Sequence, residues 1–267
     1  MKVVSYLGSV PIIDDDTPTD YLFAADLGRG HDPSQYVSEM FASPSEITLV
    51  DPSNYGPLIE QQTVSESSLE HVFRRAGWEN LDQNGQGYCW AYSTTHCVMM
   101  LRSIMNQPHV RLSAHAIGCK VKGFRDEGGW CGLSCKFHRD YGCPSVQQWA
   151  EKSMSRSYDT SATWENAAHH KITEDWYDLA KPVHGQELTD QQISTCLLNN
   201  VPCALDFNWW GHSVCGLRLV KVESGSYGKL FLNSWRGWGD RGLAVLRGSK
   251  ARADGAVALR VTGASTS

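Results

Sequence analysis

The sequence lacks an excess of positive charge: 24 Lys and Arg stand against 29 Asp and Glu, a formal net charge of −5 over 267 residues. That leaves no electrostatic footprint for nucleic acid. It also lacks any apolar run near the roughly 18 residues that a membrane helix needs. The opening stretch "MKVVSYLGSVPIIDDD" has a single lysine, and Ser, Gly and Pro interrupt its apolar residues before three aspartates end them. It makes a poor secretory leader. These absences predict no nucleic-acid partner, no membrane partner, and a protein that is intracellular or virion-associated rather than classically secreted. Internal repeats and low-complexity tracts are missing too.

Cysteine, by contrast, is abundant: Cys89, Cys97, Cys119, Cys131, Cys135, Cys143, Cys196, Cys203 and Cys215. The odd number leaves at least one thiol unpaired within the monomer. Cys203 in "VPCALDF" and Cys215 in "HSVCGL" lie in apolar surroundings, where a buried free thiol is the simplest account. Cys119, Cys131, Cys135 and Cys143 suggest zinc only weakly, because the CxxC pair of structural sites is missing. His169-His170 is a weaker metal signal still and is expected on a solvated face.

Residues 1–64 differ in texture from the remainder. They hold Pro11, Pro18, Pro33, Pro44, Pro52 and Pro57 and an acidic cluster, Asp14 to Asp16, without a sustained helical period. They read as an N-terminal arm or propeptide-like extension. From residue 65 to 267 the chain reads as one domain. "CWAYSTTHCVMMLRSIM" predicts a long helix buried on much of its surface. "GLSCKFHRDYG" and "TDQQISTCLLNN" predict shorter ones, the last capped by Thr189 or Asp190. After Asn200, "VPCALDF", "HSVCGLRLVKV", "GKLFLNSW", "GLAVLRG" and "GAVALRV" read as strands between Gly-rich turns. Helices first and an antiparallel sheet second predict an α+β protein with two subdomains.

The stretch "DQNGQGYCWAYS", Asp82 to Ser93, is a glycine-rich loop that stops at a helix start, with Cys89 in the first turn. Unpaired N–H groups there stabilise an anion and lower a thiol pKa from about 8.5. A lone cysteine is more often a packed hydrophobe, so the reading needs partners. His212 opens a predicted strand, and Asn233 ends another in "NSWRGWGDRG", where its amide oxygen can fix an imidazole tautomer.

Taken together, "QNGQGYCWAYS", "GHSV" and "NSWRGWGDRG" resemble the papain family of cysteine peptidases, from about residue 65 to the C-terminus. The resemblance implies a helical half, a sheet or barrel half, and a cleft between them. It places Cys89 on the nucleophile, His212 on the general base and acid, Asn233 on the residue that orients the imidazole, and Gln83 on the oxyanion-hole amide. Gly128 and Gly129 fall on the pair that lets an extended substrate bind backbone to backbone. Trp235 falls on the indole that shields the Asn–His hydrogen bond, and is taken with them as a substrate-binding position. The implied reaction is peptide-bond hydrolysis through a thioester acyl-enzyme, starting from a Cys89–His212 thiolate–imidazolium pair, with a peptide or protein substrate and no cofactor or metal. A cell-wall peptide amidase and a catalytically idle assembly module are the alternatives.

Departures accompany the match. The family's bridging cysteines near the nucleophile are Gln86 and Asp126 here, Cys119 matches another bridging position with Cys143 as a possible partner, and the loop before His212 is short. Residues 1–64 match no helical propeptide of the family. An extended inhibitory segment is expected instead, with "TLVDPSNYGPLIEQQ" lying along the Gly128-Gly129 groove; a permanent accessory arm is the other reading.

Overall fold

The computed structural model describes residues 4–23, 27–37, 47–172, 176–179, 185–223 and 226–259. Strands β1 (Ser5–Leu7) and β2 (Val10–Ile13) open the chain, followed by helices α1 (Thr19–Leu22), α2 (Tyr55–Val64), α3 (Leu69–Arg75), α4 (Cys89–Ile104), α5 (Ala114–Val121), α6 (Cys131–Asp140) and α7 (Ser161–Ala168). Strand β3 (Trp176–Asp178), helix α8 (Gln186–Leu198) and strands β4 (Cys203–Phe207), β5 (His212–Glu223), β6 (Ser226–Leu232), β7 (Leu243–Leu246) and β8 (Gly255–Leu259) complete it. The strands form one sheet in the order β1-β2-β7-β6-β5-β4-β8-β3. All its pairings are antiparallel except β2 with β7. The α+β architecture expected from the sequence is present.

Alternation along the strands makes two cores. On β4, Ala204 faces the core shared with α3 to α6, while Cys203, Leu205 and Phe207 face a second core shared with α8 and the N-terminal residues. Helix α4 is buried without interruption from Cys89 to Met100. A helix buried around its whole circumference lies inside the molecule, and α4 packs against both β5 and α6. Thr94 and Thr95 fit there because their hydroxyls donate back to the Ala91 carbonyl at 3.0 and 2.8 Å.

Three local expectations change. Helix α8 starts at Gln186, three residues before Thr189, and the residue preceding it, Gly185, provides no side-chain cap. A ten-residue helix, α2, forms within the proline-rich N-terminal region; Pro57 lies in its first turn, where a missing N–H costs nothing. His170 is buried, and its Nδ1 lies 2.9 Å from the Cys143 carbonyl oxygen, so only His169 of that pair is exposed. All nine cysteines are free and buried. The Cys119 thiol reaches the Ser153 carbonyl and Cys143 that of Ser113, each taking a local acceptor rather than the other thiol.

The first 64 residues contribute directly to the second core through Ile13, Leu22, Tyr55 and Ile59. Ile13, fully buried, pairs with Leu246 of β7. Ile13→Ala is therefore expected to cost about 2–4 kcal/mol, measured by urea unfolding. A loss below about 0.5 kcal/mol, the range of surface substitutions, would mean that β2 is not part of the cooperative unit.

Candidate active site

Cys89 is the first residue of α4, and the preceding Tyr88 offers no side-chain cap, so the helix start keeps its N–H groups for another acceptor. The thiol is wholly buried, with Ser213 nearby. Ser213 follows His212 on β5, and a tight connection brings His212 opposite Phe207 of β4. The short loop expected before His212 is thus four residues, Asn208 to Gly211.

Nε2 of His212 lies 2.8 Å from Asn233 Oδ1. That oxygen also accepts from the Ser234 N–H at 2.8 Å, which fixes the amide and hence the ring. With Nε2 engaged, Nδ1 is the other nitrogen, buried and without a hydrogen-bond partner. Trp235 stacks on the imidazole, centroids 4.4 Å apart at 24°, and Trp210 meets it edge-on at 4.9 Å. Gln83 is locked from both ends of its amide: Oε1 accepts from Ser234 Oγ at 2.5 Å, and Nε2 donates to the Gln86 carbonyl at 2.6 Å. The structure therefore brings together Gln83, His212, Asn233 and Trp235 beside the N-terminus of α4.

A strap formed by residues 27–37 crosses this cleft. Gly28 O accepts from the Trp235 indole at 2.9 Å, and Arg29 O from Gln83 Nε2 at 3.4 Å. The N–H groups of Gly30 and His31 both donate to Gly211 O at 3.0 Å. Gly30 O then accepts from Gly129 N, Asp32 N donates to Gly129 O, both at 2.8 Å, and His31 forms a parallel bridge with Gly129. The Gln35 amide reaches Gly128 O at 3.1 Å. Two glycines make this approach possible: at Gly28 and Gly30, both with positive φ, a Cβ would lie 2.5 Å from Gly85 C and 2.1 Å from Gly87 O. The segment expected in this groove, "TLVDPSNYGPLIEQQ", instead forms α2 and the turn leading into it, packed on α8 and β5.

Burial shifts both titrating groups. It pushes the Cys89 thiol up to about 12, with Ser213 hydrogen bonds opposing and Asp206 adding to the rise. It pushes the His212 imidazole down to about 3, against the Asn233 hydrogen bond. Both groups are neutral near pH 7, and no hydrogen bond joins them. Desolvation thus works against the thiolate–imidazolium pair expected from the sequence, because a dry site disfavours both charges.

His31, from the strap, contacts Asp206 with Nδ1 3.3 Å from Oδ1, and Nε2 lies 2.8 Å from Asn208 Oδ1. The sequence reading did not single out Asp206, although one acid within the apolar "VPCALDF" is a signal that a buried charge needs a partner. Burial works against a charged His31, but the Asp206 carboxylate more than compensates and raises it to about 9. Its contribution to strap docking is full below about 6.5 and is lost as pH rises through about 9. Among the described residues no group of three or more His, Cys, Asp and Glu is disposed to hold a metal, and no helix is long and apolar enough to cross a membrane.

No protein-family model and no curated protein matches the sequence. Solved structures do match in fold. Xylellain, a cysteine protease from Xylella fastidiosa, is 14% identical with a TM-score of 0.59, covering 89% of this chain and 97% of its own. A recombinant stem bromelain precursor is 17% identical with a TM-score of 0.60, covering 93% and 81%. Digestive procathepsin L 3 of Tenebrio molitor larval midgut is 16% identical with a TM-score of 0.55, covering 91% and 78%. The chain has the fold of the papain-like cysteine proteases.

The closed cleft generates a prediction about reactivity. At pH 7 a thiol titrating near 12 is only about one part in 10⁵ thiolate. Iodoacetamide should therefore label Cys89 of the intact protein slowly at pH 7, and the rate should still be climbing past pH 10. Mass mapping that shows fast labelling with a plateau below pH 8 would show the site to be open and ionised at rest.

Proposed function

We propose that the protein is a cysteine endopeptidase that hydrolyses peptide bonds through Cys89, His212 and Asn233. The observation that carries this reading is the His212 Nε2–Asn233 Oδ1 hydrogen bond of 2.8 Å under the stacked Trp235, beside a cysteine that opens a helix. With the cleft open to water, the cost of charging both groups falls and the proton passes from Cys89 Sγ to His212. The thiolate attacks the substrate carbonyl carbon, and the oxyanion is received by the Gln83 amide and the Cys89 N–H. His212 gives its proton to the leaving amine, leaving a thioester. It then takes a proton from water, whose oxygen attacks the thioester carbonyl and releases the acid and the thiol.

The held Gln83 favours a peptidase over an idle assembly module. Ser234 Oγ and the Gln86 carbonyl fix its amide, an arrangement that matters for a developing charge and adds little to a scaffold. Gln83→Ala is expected to lower kcat by about 10²-fold with KM nearly unchanged. His212→Ala should be more damaging than Asn233→Ala, because the latter misorients the base without removing it. Equal losses in the two variants would give Asn233 a purely structural job.

We further propose that the strap inhibits the enzyme. It covers the position of the oxyanion donor with the Arg29 carbonyl and takes the backbone of Gly129, so a peptide cannot bind until it leaves. Two of the similar structures that span most of this chain are a precursor and a procathepsin. Because residues 1–64 also supply β2 and α2, the test keeps the full chain. Gly30→Ala places a Cβ against Gly87 O and should raise peptidase activity roughly tenfold or more, given a clash cost of about 1–3 kcal/mol. His31→Ala, which removes the strap's contact with Asp206, should act in the same direction. Unchanged activity in both would reject inhibition and leave the strap as an accessory arm.

A further inference from the structure

A cavity of about 410 Å³ opens beside the strap. His31 enters it from the strap, Trp130 from the groove side, and Asp178, Asp206 and Asp254 from the sheet. The acids belong to neighbouring strands: Asp206 lies on β4, Asp254 immediately precedes β8, and Asp178 lies on β3. The described lining contains no Lys or Arg.

Asp206 is buried, 4% exposed, and it is the acid that the strap's His31 touches. Apart from His31, its side chain takes hydrogen bonds from neutral donors, the Ser213 hydroxyl and the Cys131 thiol at 3.1 Å. When the strap leaves, it removes the cation that faces this carboxylate among the described residues. A buried carboxylate held only by neutral donors is costly, and removal of one partner from a buried pair is more so than loss of the whole pair. The open site is therefore short of one positive charge at a defined place.

The strap shows how a peptide fills that place. His31 is the residue that bridges Gly129 by backbone, and its side chain is the one seated on Asp206. An extended peptide using the same Gly129 backbone puts its own side chain into the same cavity. The cavity leaves about 410 Å³ free beyond the imidazole, so once the strap has left, a longer cationic side chain has room to reach Asp206 with Asp254 at hand.

We infer that this site selects peptides carrying Lys or Arg at the residue paired with Gly129, with Asp206 as the specificity-determining carboxylate and His31 as its intramolecular stand-in. The inference rests on the peptidase reading above. An apolar side chain at that position leaves the Asp206 charge uncompensated, so it is rejected as well as less attracted.

The experiment uses full-length Gly30→Ala protein and a positional-scanning library of fluorogenic peptides. At one position Lys and Arg should exceed Leu and Phe in kcat/KM by roughly tenfold or more. Asp206→Asn in the same background should bring that ratio near parity while preferences at other positions persist. If that variant fails to fold, as judged by its melting curve, Asp254→Asn is read instead and should lower the ratio by a smaller factor. Cleavage with Leu or Phe favoured at every position, or a basic preference untouched by the folded Asp variants, overturns the inference and leaves the peptidase reading standing. Absence of cleavage of every peptide, together with no labelling of Cys89 by a peptidyl epoxide, overturns the peptidase reading, and the inference with it.

Discussion

Exclusion of water from one cleft is the constraint on which the chemistry of this molecule depends. Cys89 and His212 are both wholly buried, and each is held neutral by that burial. Desolvation acts on them in opposite directions in pKa but with the same result, since it disfavours whichever form carries charge. A helix N-terminus and a serine hydrogen bond favour the thiolate, and an asparagine favours the imidazolium, yet these contributions are smaller than the cost of two charges in a dry site. Under the proposed function, the residues that form the nucleophile in an open cleft are disfavoured from ionising in a closed one.

The closure itself follows from backbone chemistry. The strap leaves few of its polar groups to chance: its carbonyls take the Trp235 indole and the Gly129 N–H, and its N–H groups take the Gly211 and Gly129 carbonyls. Such contacts ask only for an extended chain without bulk, which Gly28 and Gly30 provide. The ionic contact of His31 with Asp206 adds position to an otherwise sequence-tolerant association, because a buried carboxylate is satisfied at a single point.

The sheet half was legible in the sequence because its strands are apolar runs between Gly-rich turns, and the candidate site residues sit at their ends. His212 opens β5 and Asn233 follows β6, so a reading of strand limits also located them. Helix α4 announced itself by a loop of Gln, Asn and Gly breaking off at Cys89. The strap did not announce itself, since its partners are backbone groups of Gly129 and Gly211, far along the chain and invisible to any periodicity. "LGRGHDP" carried a signal in its paired glycines, which mark close backbone approach. The stretch "TLVDPSNYGPLIEQQ" looked extended because of its prolines, but Pro57 falls in a first helical turn, where it is tolerated.

Asp206 links the two halves of the molecule and was hidden for a related reason. In "VPCALDF" it reads as the polar end of a buried strand, and only alternation from Ala204 places it toward α6, where the Cys131 thiol meets it. A lone acid on the inward face of a strand is expensive, and a fold retains it where a counter-charge arrives from elsewhere. Here the counter-charge comes from the segment that crosses the cleft, so under the inference drawn above a single carboxylate both holds the strap in place and selects what replaces it. Under the proposed function, docking of the strap and choice of substrate answer to the same electrostatic demand: a side chain that satisfies Asp206 better than His31 does is also the one best able to compete with the strap for the groove.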